Sequence, residues 1–326
     1  MRKMALSNGN PALAGYTPMK YAPQLLRKWY ADTLLSRIMN RDYEGELKKS
    51  GKQITIRQRP SITIQHDVVK GAPVDYPYLM TEEKVIDIDR NVFWTFGVDH
   101  VDKAESDLKT FTNDWLDEAK NRQREGVEKV ILNTSPGNAI TANQGATAGA
   151  QSAAFNLGTV AAPLHLTELT SYTDAGSIVR QNAADLLADF VTVLRESNVP
   201  MNLAKWAVLP PWVTNRIAKS AVKDASVTGD GKGVIRSGPD YVGNVNGIQI
   251  YESTLFESTL GGLNTAEAVW PILFGVNDGW TFAATIEFIE SFILQTKVGT
   301  GFRGQMNYGF DTLIDGGLGV AYAVTT

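Results

Sequence analysis

Three histidines, His66, His100 and His165, are the side chains of this 326-residue chain best suited to metal or proton chemistry. No two stand one helical turn apart, the spacing that aims two imidazoles at one ion. His100 lies in VDHVDKAES beside Asp99, Asp102 and Glu105, and reads as a hydrogen-bonded or solvated histidine at the foot of a helix. Zero cysteines remove thiolate nucleophiles, disulfides and Cys-based metal sites together, as suits assembly in a reducing cytoplasm. GTGFRG, Gly299 to Gly304, has the glycine spacing of a dinucleotide-binding turn and follows a strand. Too little chain remains after it for a crossover unit of about 30 residues, and no apolar helix pattern follows. A strand-end loop needing backbone freedom is the expected reading. GDGKG at 229–233 lacks the upstream glycine of a phosphate loop, since Ser226 stands there, and no Ser or Thr follows Lys232; it reads as a flexible tip. No Ser or Thr occupies a nucleophile elbow, and the alternating carboxylates Asp87 and Asp89 carry no sign of a cleft. No catalytic residue, metal ligand or cofactor is therefore expected, and the chain does not read as an enzyme.

Charge narrows the partners. With 31 Lys plus Arg against 35 Asp plus Glu, the formal charge is −4, which argues against a dedicated nucleic-acid binder but leaves non-specific contact open. KNRQRE, Lys120 to Glu125, reads first as the wet face of a helix, with nucleic-acid contact as the alternative. The opening MRKMALSNGNPALAGY has only a three-residue apolar run before Ser7, short of a leader core of about 7 to 15 residues. The most apolar window, FAATIEFIESFIL, carries Glu287 and Glu290 and is shorter than the ~20 residues of a membrane span, so no membrane partner is expected.

The elements follow from periodicity. Residues 1–42 open with breakers (Asn8, Gly9, Pro11, Gly15, Pro18, Pro23) and end in a helical pattern over Gln24 to Met39, an arm that must be ordered by packing on something else. Residues 43–98 form an extended loop. Its outgoing limb places Ile54, Ile56, Ile62 and Ile64 at period two, with Arg57 and Arg59 on the alternate face. A loop-like HDVVKGAPVDYPYLMTEEK separates it from a returning stretch, VIDIDRNVFWTFGV. If the excursion outruns its own domain, the four isoleucines need a second copy as lid, and Arg57 and Arg59 meet acidic groups there.

Lys103 to Leu132 reads as a helix of about 25 residues, roughly 38 Å long. Leu108, Phe111 and Trp115 form its apolar stripe, so Trp115→Ala is expected to cost about 3 to 5 kcal/mol. Gly126 is its weak point. From Val130 to Thr167 no Asp, Glu, Lys or Arg occurs, which reads either as a linker or as a segment covered by something, such as another subunit. Beyond it, Asp174 is the expected cap of a helix closed by Pro200. KWAVL, NGIQIYES and WPILFGV are expected strands, WVTNRIAKSA a helix, and Thr285 to Lys297 and GGLGVAYAVT further extended segments. The class is α+β.

This succession resembles the major capsid proteins of tailed bacteriophages, the Hong Kong 97-like fold. NRDYEGELKKSGKQITI leads into an extended loop, VIDIDRNVFWTFGVDHVDKAESD returns into a spine-like helix, and VLPP, GIQIYES and MNYGFDTLIDGGLGVAYA follow in order. The likeness spans nearly the whole chain from about residue 20. It implies an N-terminal arm (1–42), an extended β loop (43–98), a peripheral domain with the long helix (99–165 and 280–326) and an axial domain (166–279). It also implies partners: other copies in hexamers and pentamers, the loop reaching over a neighbour, a portal, and non-specifically packaged DNA, in a virion capsid assembled in the host cytoplasm. The arm begins within about 20 residues of Met1, so a separate scaffolding protein is expected. Crosslinking through Lys48, Lys49 or Lys52 stays open. The alternatives are an encapsulin-type nanocompartment shell of the same fold and a nucleotide-dependent enzyme using 299–304.

Overall fold

Period-two stretches cover different things depending on which partners they pair with, and the partners change along this chain. The computed structural model describes residues 33–43, 52–60, 81–100, 108–174, 178–220, 243–245, 247–261, 267–295 and 298–325, with isolated positions between 62 and 78. All belong to one unit, Ala31–Thr326. Most of the arm, the GDGKG tip and Lys48 and Lys49 lie outside the described residues.

The arm enters through a one-turn helix, α1 (Leu35–Ile38). β1 (Gln53–Arg57) pairs antiparallel with β2 (Glu83–Asp87), so the outgoing and returning limbs do form one hairpin. After a two-residue break β3 (Arg90–Asp99) follows, then α2 (Leu108–Thr134), 27 residues and about 40 Å long. Next come β4 (Leu164–Thr167), β5 (Tyr172–Thr173), β6 (Val179–Asn182), α3 (Ala183–Glu196), β7 (Lys205–Leu209) and α4 (Pro211–Lys219). The chain closes with β8 (Gly243–Val245), β9 (Ile248–Glu252), β10 (Thr259–Gly261), β11 (Glu267–Val276), β12 (Trp280–Ile293), β13 (Gly299–Thr312) and β14 (Leu318–Val324). No described helix is long and apolar enough to cross a membrane.

A nine-stranded mixed sheet runs β5-β6-β4-β14-β11-β7-β9-β8, with β10 on β11. Every residue of β7 is buried, because both sheet faces are covered. Ala207, Leu209, Ile272, Phe274, Ala321 and Ala323 meet α3 and α4, where Phe190 stacks on Phe274 at 4.1 Å. The alternate residues Trp206, Val208, Leu273 and Val320 meet Leu34 and Ile38 of the arm and Val127, Ile131 and Leu132 of α2. β14 belongs to this sheet, pairing with β11 and β4, although its sequence position grouped it with the long helix.

Four expectations are corrected. Asp174 does not cap the helix: Val179–Asn182 is drawn into the sheet beside β4, so α3 starts at Ala183 with the Asn182 side chain accepting from the Ala184 N–H. Asp174 instead accepts from the Ile178 N–H at 3.1 Å and from Arg180 at 3.2 Å. The uncharged 130–167 segment is no free linker, although residues 150–154 within it are exposed. It threads under its own chain, with Asn143 fully buried and its amide donating to the carbonyls of Gly316 and Leu318 at 2.8 and 3.1 Å. Trp115 is not core. It is 38% exposed and meets Phe96 of β3 edge-on. That sheet, ordered β12-β13-β3, also corrects GTGFRG, which lies within β13. Two of its three glycines are seats for rings: a Cβ on Gly304 would meet Trp94 at 2.6 Å, and one on Gly301 would meet Phe292.

Candidate functional site

Among the described residues the extended hairpin has a covered and an uncovered part, and the two divide sharply. At its base, Ile54 stands opposite Ile86 in the β1–β2 register. Both are buried with Ile88 against Ala283 and Leu313, and Ile56 and Tyr43 pack at the margin. Gln58 Nε2 donates to the Leu313 carbonyl at 2.9 Å, and Lys84 Nζ lies 3.3 Å from Asp315. The expectation that Ile54 lacks a lid is therefore corrected, since β12 and the residues after β13 supply one, while Ile56 is covered only in part. Burying the base in the chain's own core fixes the direction in which the hairpin leaves.

Arg57 and Arg59 are exposed on the alternate face, as the period of two requires. Arg57 Nε sits 3.7 Å from Glu83 across the hairpin, an open ion pair worth about 0 to 1 kcal/mol. Beyond them Ile62 is 67% exposed and Ile64 is 72% exposed. Tyr76 and Tyr78, at 82% and 97%, join them; the sequence reading passed over these two, though their alternate spacing was the available signal. The structure thus separates the six candidates: Ile54 inside, Ile56 half-buried at the margin, and Arg57, Arg59, Ile62 and Ile64 outside. Four large side chains, Ile62, Ile64, Tyr76 and Tyr78, are thus open to water on one excursion.

The other reactive candidates have ordinary surroundings. His100 Nε2 lies 3.3 Å from Thr300 Oγ1, and His66 is exposed. His165 is buried on β4, and burial pushes its pKa down, opposed by Glu267 and reinforced by Arg180. Asp87 accepts from Gln53 at 2.6 Å. Lys120 pairs with Asp117, and Arg122 with Glu118 and Glu125, which makes much of KNRQRE a solvated helix face. Among the described residues no group of three or more His, Asp or Glu could hold a metal ion.

Solved structures match this arrangement of hairpin, long helix and two sheets end to end. A chain of Mycobacterium phage Che8 matches with a TM-score of 0.66 at 20% identity, covering 94% of this chain and 96% of its own. A capsid chain of Cyanophage P-SCSP1u matches at 0.65 and 15% identity, covering 99% and 97%. The fold is that of phage capsid chains. The capsid fold is also shared with the capsid chain of Ralstonia phage GP4, at a TM-score of 0.61 and 12% identity over 99% of this chain and 98% of that one. No protein-family model and no curated protein sequence matches the chain.

Proposed function

We propose that this chain is a major capsid protein, many copies of which close into an icosahedral shell around a viral genome. The observation that carries the reading is the capsid fold over at least 94% of the chain. The exposed hairpin supports it: a row of apolar side chains on an extended excursion is a liability unless each copy covers its neighbour's, and repeated identical contacts of that kind close into symmetric assemblies. The role is structural rather than catalytic. The three matched structures named above are phage chains, which favours a capsid over a nanocompartment shell, and the pairing of GTGFRG on both sides within β13 disfavours the nucleotide-enzyme reading.

In this reading the arm is 1–42, the extended loop 43–98, the peripheral domain 99–165 with 280–326, and the axial domain 166–279, with β14 extending the axial sheet. Copies meet as hexamers and pentamers, with a separate scaffolding protein, a portal and packaged DNA as further partners, in a capsid assembled in the host cytoplasm. The test is sedimentation of the double variant Arg57→Glu and Arg59→Glu beside the parent. Both side chains are exposed, so the subunit should keep the parental circular dichroism spectrum, while reversed charge at a contact of several kcal/mol should hold it as monomers or small oligomers. Shells of parental yield from the double variant would remove the hairpin's outer face from the assembly.

A further inference from the structure

Residues 34–40, the last stretch of the arm, complete the core between the two sheets. Leu34 and Ile38 are buried among Trp206 and Leu273 of the nine-stranded sheet, Phe282 of the three-stranded sheet and Ile131 of α2. Polar ties fasten the stretch along its length. The Glu128 carboxylate of α2, fully buried, accepts the Leu34 N–H through both oxygens at 2.9 and 2.8 Å. Asn277, exposed in the turn between β11 and β12, donates its side-chain amide to the Arg37 carbonyl at 3.0 Å. Asn40 donates its N–H to the Trp280 carbonyl at 2.8 Å and accepts the Phe282 N–H at 3.0 Å.

Three features lower the cost of opening this closure. A cleft of about 310 Å³ separates Leu35 and Ser36 from Gln123 and Met306, where a close-packed interior would leave no such space. Opening also returns the Glu128 carboxylate to water, from which its burial holds it. The indole N–H groups of Trp206 and Trp280, buried in the same core, have no hydrogen-bond partner and would gain one. We infer that residues 34–40 are a releasable strap with Glu128 as its latch: they leave as one unit and free the angle between two intact sheets. Each sheet keeps its own ladder, because the strap adds only the Asn40 bridge to the edge of β12. The use of the strap rests on the shell reading, in which one chain must fit rings of five and of six.

The experiment applies hydrogen exchange and spin-label distances to the isolated full-length subunit, as parent, Glu128→Ala, Glu128→Gln and Asn277→Ala. In the parent the amides of Leu34, Asn40 and Phe282 should exchange through one shared opening, faster than those of Ala207 and Phe274 in the nine-stranded sheet. Glu128→Ala orphans the Leu34 N–H and should speed the first group about tenfold or more, while Glu128→Gln keeps an accepting oxygen and should recover most of that change. Asn277→Ala removes a tie at an exposed position and should speed the group about twofold to tenfold, so it carries the test even where Glu128→Ala fails to fold. Nitroxides carried on Phe93→Cys in β3 and Leu260→Cys in β10, both exposed in a chain without cysteine, should show a second distance population that grows in the faster-exchanging variants. Exchange of all five amides in step, in parent and variants alike, would mean global unfolding and overturn the strap. One unchanged distance population throughout would overturn its hold on the sheet angle. A parent that opens in this way but forms no shells would sustain the strap and remove the shell reading instead.

Discussion

Replacing Gly304 by alanine separates a ring seat from a nucleotide turn. The added Cβ would stand 2.6 Å from Cε2 and Cζ2 of Trp94 and 2.8 Å from its Nε1. Ordinary carbon contacts lie at about 3.5 Å, so the indole must withdraw by roughly 1 Å. That ring is held between the sheet and α2, with Nε1 donating to Gln123 Oε1 at 3.0 Å and Phe96 stacked at 5.8 Å. A 1 Å withdrawal either breaks the indole bond or lifts α2 from the sheet. Overpacking costs about 1 to 3 kcal/mol and the lost bond about 1, together about 2 to 4 kcal/mol. Urea unfolding of the isolated subunit should show this as a lower midpoint with an unchanged slope. Trp94→Leu in the Gly304→Ala background should recover part of the loss by vacating the space. A change within about 0.5 kcal/mol for Gly304→Ala alone would refute the ring-seat geometry.

Gly126→Ala should stabilise the subunit by about 0.5 to 1 kcal/mol, because nothing lies within 4 Å of the new Cβ and a helix interior favours alanine; thermal unfolding checks it. Trp115→Ala should cost only about 1 to 2 kcal/mol, since the ring is partly open and loses mainly its edge contact with Phe96, and urea unfolding should place it well below a core truncation such as Phe190→Ala at about 3 to 5. His165 is held neutral by burial, so its folded pKa lies below its unfolded value near 6.5. The unfolded chain then takes up the proton first, and stability should fall as pH drops below about 6.5; a His165→Gln variant should show a shallower fall between pH 7 and 5.

Local pattern carried the strands and helices whose neighbours are close, and it failed where distant chain decides. KWAVL was legible because a short apolar run stopped by two prolines is a local signal, and it and the helix expected over WVTNRIAKSA formed as β7 and α4. Val85 to Val98 read as one stretch but breaks at Ile88 and Asp89, because β2 pairs with β1 while β3 pairs with β13, a partner some two hundred residues on. Asp174 looked like a cap until β4 drew Val179–Asn182 into the sheet. Neutrality of 130–167 did not mark a free linker, since Asn143 ties it to the turn before β14 through the carbonyls of Gly316 and Leu318, two positions far off in the chain. At the candidate surface, Ile62 and Ile64 are exposed as the excursion reading required, whereas Ile54 is sealed by Ala283 and Leu313, which no nearby residue announces.

The measurement that bears most directly on the central claim is electron microscopy of the purified chain, alone and with a candidate scaffolding protein, at concentrations where sedimentation shows large species. The account predicts uniform closed shells, or rings of five and six copies, in whose averaged density the hairpin carrying Ile62, Ile64, Tyr76 and Tyr78 lies against a neighbouring copy. Monodisperse single subunits under both conditions, or shells in which that hairpin stands free in solvent, would contradict it.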